Sequence, residues 1–227
     1  MQNITFNKYI KTTYKRFQHN HKIIIWGLVL PLVTFLILAL NIISLKDSNF
    51  SWDILILSHI HKSSQPFLDN FASVLTNFGG FRLILLLITP IILLLLFLRK
   101  KGSLTYLTIS IFSSAIVNFI IKIIFHRPRP HLWESGYPFP SDFSFPSGHA
   151  MASMTLALTI LVIFWDSFKN PLILILAGIY VISIAWTRLY LGVHFPSDIL
   201  GGWLLAIAWT TLVTFLFNFP ENNKNTN

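Results

Sequence analysis

The chain has 227 residues, of which 54% are hydrophobic and only 11% are charged. Soluble domains carry about 25% charged residues, so this composition excludes a water-soluble globular protein and predicts an all-α, polytopic membrane protein whose apolar runs match the length of a membrane span. The net charge of +9 does not indicate nucleic-acid binding, because the basic residues cluster beside apolar runs, as topology signals and contacts with anionic lipid do.

Six apolar segments follow one another along the chain and predict a six-helix bundle. Residues 1–22 form a basic tail, residues 23–218 the membrane domain and residues 219–227 a polar tail. The predicted spans cover about residues 23–45, 74–98, 104–125, 147–165, 172–190 and 196–217. The first run lacks a small-residue cleavage site, which favours a retained span over a signal peptide. Residues 50–75 are ambiguous between a short interfacial helix and a further span, so five or seven spans are the alternatives.

The distribution of lysine and arginine over the predicted loops orients the bundle. Ten basic residues fall on the side of the two termini, which also holds predicted turns at 99–102 and 166–171. The opposite side holds three, once four cations that we suspect of a function are set aside. The positive-inside tendency then places both termini in the cytoplasm. We expect a protein of the plasma or inner membrane whose other face looks outward.

The residue types that carry chemistry gather at the ends of the last four predicted spans. They are Lys122 and Arg129 after the third span, Ser147, Gly148 and His149 at the start of the fourth, Arg188 at the end of the fifth, and His194 and Asp198 at the start of the sixth. Successive spans cross the membrane in alternate directions, so all of these residues reach the same, outer side. Because composition does not require this agreement, the sequence predicts one active site at the outer ends of helices 3–6.

Three of these residues are cations and predict a cradle for a tetrahedral oxyanion, with phosphate as its occupant. The guanidinium groups of Arg129 and Arg188 match phosphate bidentately, whereas Lys122 acts as a point charge. Ser147 is a candidate N-cap or hydroxyl donor, and Gly148 lets backbone N–H groups approach an anion at a helix start.

Two histidines and a carboxylate complete the predicted site. Asp198 follows His194 by four residues, a spacing that allows the carboxylate to fix the imidazole tautomer and stabilise the imidazolium. His194 is then the candidate nucleophile that forms a phosphohistidine, and His149 the general acid that protonates the leaving oxygen. The alternative, that these three residues bind a metal ion, is disfavoured by the surrounding cations. We expect no metal or other cofactor, and the absence of cysteine excludes thiolate sites and disulfides.

The order and spacing of these residues resemble a known three-part signature. Lys122-(six residues)-Arg129-Pro130, Pro146-Ser147-Gly148-His149 and Arg188-(five residues)-His194-(three residues)-Asp198 are similar to the motifs of the type 2 phosphatidic acid phosphatase superfamily. The similarity is to its bacterial integral-membrane branch, which acts on phosphatidylglycerol phosphate and undecaprenyl pyrophosphate. One departure is Thr187, where the family often has serine, and the hydroxyl is kept.

The resemblance implies a six-span lipid phosphatase and a role for each matching residue. Phosphate would be bound by Lys122, Arg129, Ser147, Gly148 and Arg188, while His149 would be the acid, His194 the nucleophile and Asp198 its orienting partner. The expected substrates are phosphatidic acid, phosphatidylglycerol phosphate or an isoprenyl pyrophosphate. A lipid phosphotransferase that uses the same phosphohistidine and a non-catalytic lipid-binding or transport protein are the alternatives. A haloperoxidase of the same superfamily is disfavoured, because such enzymes are typically soluble.

Other polar residues have plainer explanations. Lys122 taken alone is also typical of a snorkelling residue at a helix end, Arg127 fits a solvated loop as well as a function, and Asp53 and Asp69 are expected to be solvated. The histidines outside the signature, His59, His61, His126 and His131, are assigned no chemistry. Headgroup selection is expected in residues 131–145, with the candidates Trp133, Glu134, Tyr137 and Asp142. The sequence predicts no particular oligomeric state.

Overall fold

The computed structural model describes residues 21–45, 49–133, 136–164 and 171–217. This part of the chain is built from helices and contains no strand, which confirms the predicted all-α class. We number the helices α1 (His21–Ser44), α2 (Ser51–His61), α3 (Pro66–Leu75), α4 (Phe81–Phe97), α5 (Lys101–Phe125), α6 (Gly148–Phe164), α7 (Pro171–Tyr190) and α8 (Pro196–Leu216). A π-helical stretch interrupts α1 at Ile25–Val29, and a 3₁₀ turn, Thr76–Gly79, follows α3.

Four of the described helices are long and apolar enough to cross a membrane, namely α1, α5, α7 and α8. The segment Pro66–Gly79 and helix α4 together form a fifth candidate span, bent by 58° at their junction. Helix α6 is apolar but has 17 described residues, or about 26 Å of helix, slightly less than the ~30 Å hydrocarbon core. The chain is therefore an integral membrane protein, and the six-span count stays a prediction that requires α6 and the bent pair to cross as well.

The structure corrects two predicted boundaries. The second span was predicted to begin at 74, but residues up to Gly79 belong to the bent segment and α4 begins only at Phe81. Gly80 adopts an extended conformation with φ −73° and ψ 143°, which ends the preceding turn and allows the bend. The turn predicted at 99–102 is shorter, because α5 already begins at Lys101 and Arg99 reverses the chain with φ 54°. The predicted turn at 166–171 and the last residue of the predicted fourth span lie largely outside the described residues.

Helix α8 is the central element of the bundle, since it packs against α1, α5 and α6. An apolar core lies between α4, α5, α6 and α8 and includes Ile84, Ile88, Leu95, Tyr106, Leu107, Ile111, Leu156, Ile163 and Val213. Two hydroxyl pairs connect helices inside this core: Tyr106 Oη lies 2.6 Å from Thr214 Oγ1, and Ser114 Oγ lies 2.9 Å from Thr155 Oγ1. Such interhelical hydrogen bonds and close small-residue contacts hold helices together where the surroundings are as apolar as the side chains.

The helix ends that were predicted to share a site do meet at one end of the bundle. The backbone N–H of Ser147, just before α6, donates to the carbonyl oxygen of Asp198 in the first turn of α8 at 3.0 Å. Gly202 of α8 makes this approach possible, because it faces the start of α6. Helix α2 covers the same end by packing against α7 and α8. The site described below is therefore built from helix ends that are fixed to each other directly.

We expect that Gly202→Ala destabilises the bundle. A Cβ at this position would lie 2.8 Å from the carbonyl oxygen of Ser147 and 3.2 Å from the Cβ of Ala150, and backbone atoms cannot rotate away. Overpacking of this kind costs about 1–3 kcal/mol, so the thermal unfolding midpoint in detergent should fall. The matched control is Gly178→Ala in α7, whose Cβ would meet no atom within 4 Å. Equal midpoints for the two variants would contradict the close approach of α6 and α8.

Candidate active site

The side chain of His194 lies at the centre of the site. It follows α7 in the short connection to α8 and is only 1% exposed. Its Nδ1 lies 3.3 Å from Oδ2 of Asp198, and its Nε2 lies 3.0 Å from Nη1 of Arg129. A guanidinium N–H can only donate, so Nε2 must accept, and the ring hydrogen is on Nδ1, directed at the carboxylate. The unprotonated nitrogen of His194 therefore faces the cations.

The electrostatic surroundings of His194 keep its imidazole neutral. Burial lowers its pKa well below the ordinary value of 6.5, and the nearby charges of Arg129, Arg188 and Lys122, together with His149, lower the pKa further. All of these groups favour the uncharged ring, because a second positive charge would be repelled and poorly solvated. At neutral pH the lone pair on Nε2 is therefore available.

Asp198 is fixed by its position in the first turn of α8. Its Oδ2 also accepts the backbone N–H of Phe195 at 2.8 Å, which is how an acidic residue at the third helical position satisfies an unpaired N–H group at a helix start. A carboxylate is also favoured in this turn by the helix dipole. The sequence spacing of His194 and Asp198 thus becomes a direct contact, because the helix begins between them at Pro196.

Lys122 and Arg129 share one counter-ion, Asp142. Nζ of Lys122 lies 2.9 Å from Oδ2 of Asp142, while Nη2 of Arg129 pairs with Oδ1 of the same carboxylate. The backbone carbonyl groups of Asp142 and Phe143 also accept hydrogen bonds from the two cations, including 2.8 Å from Nε of Arg129 to the oxygen of Asp142. Burial alone would raise the pKa of Asp142, but the charges of Lys122 and Arg129 outweigh it and hold the pKa below the ordinary 3.8.

The two cations and their counter-ion differ in exposure. Lys122 and Arg129 are buried, whereas the side chain of Asp142 is 54% exposed. The carboxylate lies at the mouth of the site, where water can solvate it if it leaves. An incoming anion can therefore exchange with Asp142 without stranding a buried charge.

Arg188, in the last turn of α7, supplies the third cation. Its Nη1 donates to Oγ1 of Thr76 at 2.8 Å, and its guanidinium carbon lies 5.6 Å from the centre of the Tyr137 ring. Arg188 is only 1% exposed, yet its Nε–H has no hydrogen-bond partner within the described part of the chain. A buried N–H without a partner is costly, so this group can still donate to a hydrogen-bond acceptor that enters the site.

The turn before α6 brings a helix start into the site. Ser147 is fully buried, and its Oγ accepts the backbone N–H of Ala150 at 3.4 Å, as an N-cap does. Gly148 begins the helix next to Asn118 of α5, and the ring of His149 lies against Gly79 and Gly80. The hydroxyl of Thr187 donates to the Ile184 carbonyl of its own helix at 2.7 Å, so the hydroxyl at this position is satisfied within α7.

A cavity of about 240 Å³ opens beside His149, between α4, α5 and α6. Most of its lining is apolar, with Phe81, Ile84, Ile111, Ala115, Met151 and Ala152 among the residues that face it. Its polar lining is formed by Ser114, Asn118, His149 and Thr155. A largely apolar space therefore adjoins His149.

Three residues that the sequence did not assign to the site belong to it. They are Arg127, Asp53 and Ser197. Arg127 is 6% exposed and donates to Asp198 Oδ1 at 2.6 Å and to Asp53 Oδ2 at 2.9 Å. The hydroxyl of Ser197 accepts a hydrogen bond from Arg127 and donates one to Asp53. The expectation that Asp53 is solvated is wrong, because α2 packs on α7 and α8 and covers this side chain completely. The signal available in the sequence was an acid inside an apolar stretch together with an arginine two residues before Arg129.

The other polar residues are accounted for by ordinary contacts. Asp69 is exposed and accepts from Tyr190 Oη at 2.7 Å. Three histidines lie against aromatic rings: His61 stacks on Trp133, His131 stacks on Phe139, and His126 meets Phe143 edge-on. Trp133 also packs against Gly192, whose φ of +67° suits glycine in the connection that carries His194. Of the proposed headgroup residues, Asp142 and Tyr137 contact site cations, and Glu134 lies outside the described residues.

The charged side chains nearest to His194 are mainly cations. In residues 21–45, 49–133, 136–164 and 171–217, no group of three or more His, Asp or Glu side chains is placed to hold a metal ion. The imidazole nitrogen of His194 that is turned toward the interior of the site instead faces Arg129. What the geometry can do is bind a tetrahedral anion between three cations and a helix start, next to a neutral imidazole.

Comparison with known proteins shows the family to which the chain belongs. Residues 103–221 match the profile of the PAP2 superfamily, and the chain belongs to that superfamily. It is thus an integral membrane enzyme of the class that hydrolyses phosphoric monoesters or diphosphates.

Individual relatives are similar over most of the chain. An undecaprenyl-diphosphatase of Sulfolobus acidocaldarius is 27% identical over 192 residues, covering 81% of this chain and 87% of the relative. The phosphatidylglycerophosphatase B of Bacillus subtilis is 31% identical over 157 residues, covering 66% and 75%. The crystal structure of a transmembrane PAP2-type phosphatidylglycerolphosphate phosphatase from Bacillus subtilis superposes with a TM-score of 0.66 at 26% identity, covering 83% of this chain and 94% of that one.

Proposed function

We propose that this protein is a lipid phosphatase that removes a phosphoryl group from a lipid phosphomonoester or pyrophosphate through a phosphohistidine at His194. The observation that carries the proposal is the position of His194 Nε2, unprotonated and facing Arg129, while Nδ1 is held by Asp198. An unprotonated nitrogen beside an anion cradle, whose lone pair is released when Arg129 turns to a phosphoryl oxygen, is the arrangement that in-line attack on phosphorus needs.

In the first step, Nε2 of His194 attacks phosphorus, the N–P bond forms and the bond to the leaving oxygen breaks. The hydrogen bond from Arg129 to Nε2 opens as the phosphorus approaches, and Arg129 binds a phosphoryl oxygen together with Lys122 and Arg188. These cations stabilise charge on the equatorial oxygens. Asp198 stabilises the imidazolium, and His149 donates a proton to the departing oxygen.

In the second step, water attacks the phosphohistidine. His149, now neutral, accepts a proton from this water, the N–P bond breaks, and inorganic phosphate leaves the site. The imidazole of His194 returns to its neutral form with the hydrogen on Nδ1. No electron transfer or metal ion is required for the balance of either step.

The apolar cavity beside His149 supports a lipid substrate, because it lets an acyl or isoprenoid chain extend into the bundle while the phosphate stays among the cations. The relatives are named for an undecaprenyl diphosphate and for phosphatidylglycerophosphate, so the substrate classes to test are isoprenyl pyrophosphate, phosphatidylglycerol phosphate and phosphatidic acid. We further propose six spans with cytoplasmic termini and an outward-facing site, supported by the distribution of basic residues in the sequence.

The test is phosphate release from these three lipids by the full-length protein in detergent, with EDTA present. We expect release from at least one lipid, and we expect His194→Ala to reduce it by about 1000-fold or more, since the covalent path is lost. His149→Ala should cost roughly 100- to 10,000-fold, as for a general acid. The matched control is His59→Ala, because His59 is an exposed histidine of α2 outside the site.

Each contrary outcome identifies a different error. Release that EDTA abolishes would mean a metal site. Transfer of the phosphoryl group to an added alcohol in preference to water would mean a phosphotransferase. Unchanged turnover of His194→Ala would show that His194 is not the nucleophile. No release from any lipid would favour a lipid-binding or transport protein.

The acid limb of the pH profile of kcat/KM, where activity is lost as pH falls, should report the lowered pKa of His194. Protonation removes the attacking lone pair, and the pKa lies well below 6.5, so activity should persist as pH falls through 6.5 and disappear only at lower pH. A phosphomonoester substrate also titrates at about pH 6 and could produce a similar limb. The variant Asp198→Asn therefore tests whether the limb belongs to His194. Loss of this negative charge lowers the pKa of His194 further and should shift the limb to still lower pH. A limb that does not move, or that lies above 6.5, would contradict the assignment.

Asp142→Asn should tighten the binding of orthovanadate, a tetrahedral analogue of phosphate. The Asp142 carboxylate pairs with both Lys122 and Arg129 and must be displaced by an incoming anion. Half-exposed ion pairs contribute up to about 1 kcal/mol each, so the inhibition constant should fall roughly two- to tenfold. Ser141→Ala, a change at the exposed neighbour, is the control. Weaker vanadate binding by Asp142→Asn would instead show that Asp142 holds the cations in position.

A further inference from the structure

We propose that Arg127 and Asp53 are positioning residues for the reaction, acting through Asp198 on His194; this inference rests on the proposed function. Neither residue belongs to the three-part signature, and Asp53 lies in α2, far from it in sequence. Together with Asp198 and His194 they form a continuous chain of buried polar contacts, which we call the Asp53–His194 relay.

The carboxylate of Asp198 is held through both of its oxygens. Oδ2 contacts Nδ1 of His194 and accepts the backbone N–H of Phe195, while Oδ1 accepts Nη1 of Arg127 at 2.6 Å. Without Arg127, one oxygen would have no charged partner and the carboxylate could rotate about its Cβ–Cγ bond. Arg127 therefore decides the angle at which Asp198 meets the imidazole.

Arg127 is itself fixed from two further directions. Its Nη2 donates to Oδ2 of Asp53 at 2.9 Å, and Nη1 also contacts Oγ of Ser197 at 2.7 Å. The guanidinium lies 4.5 Å above the centre of the Phe195 ring. Asp53 in turn accepts the backbone N–H of Ser197 at 2.9 Å, so α2 is connected to the first turn of α8.

Stabilisation of the fold alone does not explain why the relay consists of buried charged residues. Asp53 and Asp198 are fully buried and Arg127 is 6% exposed. Burying three charges is costly, and an apolar cluster of the same volume is often as stable or more so. One arginine shared by two carboxylates leaves a net charge of −1. The positive charge that forms on His194 during attack brings the relay to neutrality, so the unbalanced charge serves the reaction.

Each member of the relay then has a defined electrostatic effect. Asp53 draws part of the positive charge of Arg127 away from Asp198, which leaves Asp198 free to stabilise the imidazolium. Removing Asp53 should strengthen the hold of Arg127 on Asp198 and disfavour the protonated ring. Removing the charge of Arg127 should do the opposite. The two substitutions therefore shift the titration of His194 in opposite directions.

The other charged and titratable groups around His194 stay the same in these variants. They are Lys122 from α5, Arg129 and the more distant Asp142 from the loop after α5, His149 from α6, Arg188 from α7 and Asp198 from α8. A difference between two relay variants can therefore be attributed to Asp53 and Arg127.

The experiment compares Asp53→Asn, Arg127→Gln, Arg127→Lys and the double variant Asp53→Asn/Arg127→Gln in the full-length protein. Readouts are kcat, KM, the acid limb of kcat/KM and the thermal midpoint in detergent. We expect kcat to fall about 10- to 1000-fold in the two single neutralising variants, with KM changed less than about threefold. Arg127→Lys, which keeps the charge but not the fork, should recover part of kcat. The controls are Asp69→Asn and Arg82→Gln, an exposed acid and an exposed base outside the relay.

The direction of the acid limb separates positioning from a structural role. We expect the limb to move to lower pH in Asp53→Asn, to higher pH in Arg127→Gln and back toward the parent value in the double variant. The inference would be overturned if kcat fell only as much as the amount of folded protein. It would also be overturned if the acid limbs of Asp53→Asn and Arg127→Gln moved in the same direction or did not move. If His194→Ala abolishes release while both relay variants keep the parent kcat, the relay fails and the proposed function stands. If His194→Ala is fully active, both fail.

Discussion

The constraint on which this structure depends is the burial of three cations at one end of an apolar bundle. Lys122, Arg129 and Arg188 are almost inaccessible, and the nearby acid that pairs with the first two is half in solvent. Charges removed from water need partners, and Arg188 keeps an N–H group without one in the described part of the chain. A phosphate group is the partner that would complete all three.

The neutral state of His194 follows from the same constraint. Burial lowers the pKa of His194, and the cations that would hold phosphate lower it further, so in the proposed mechanism the groups that bind the substrate also keep the nucleophile unprotonated. Asp198 is separated from these cations by the ring itself and stabilises positive charge only once it develops. In the proposed mechanism, anion binding and nucleophile activation are thus two effects of a single charge distribution.

The bundle makes this distribution possible by joining helix ends to one another. The start of α6 is hydrogen-bonded to the first turn of α8, and the glycine at Gly202 lets the two backbones approach. Helix α2 closes this end and contributes Asp53 to a second charged cluster behind Asp198. Two polar clusters, one facing the substrate side and one behind it, therefore meet at one carboxylate. The cluster of Lys122, Arg129, Arg188 and Asp142 carries an excess of positive charge, and the relay behind Asp198 carries an excess of negative charge.

The sequence by itself determined the membrane character and the helical class, because the length of an apolar run is a local property. It also predicted that Lys122, His149, Arg188 and His194 meet, because successive spans run in alternate directions and bring these residues to one side. It could not determine the bend at Gly80 or that Asp53 is buried, since both depend on which helix packs against which. A short apolar helix with one acid has the same pattern whether it lies on the membrane surface or against α7 and α8. Only the tertiary structure decided this, because the partner of Asp53 is Arg127, 74 residues away along the chain, and no periodicity connects them.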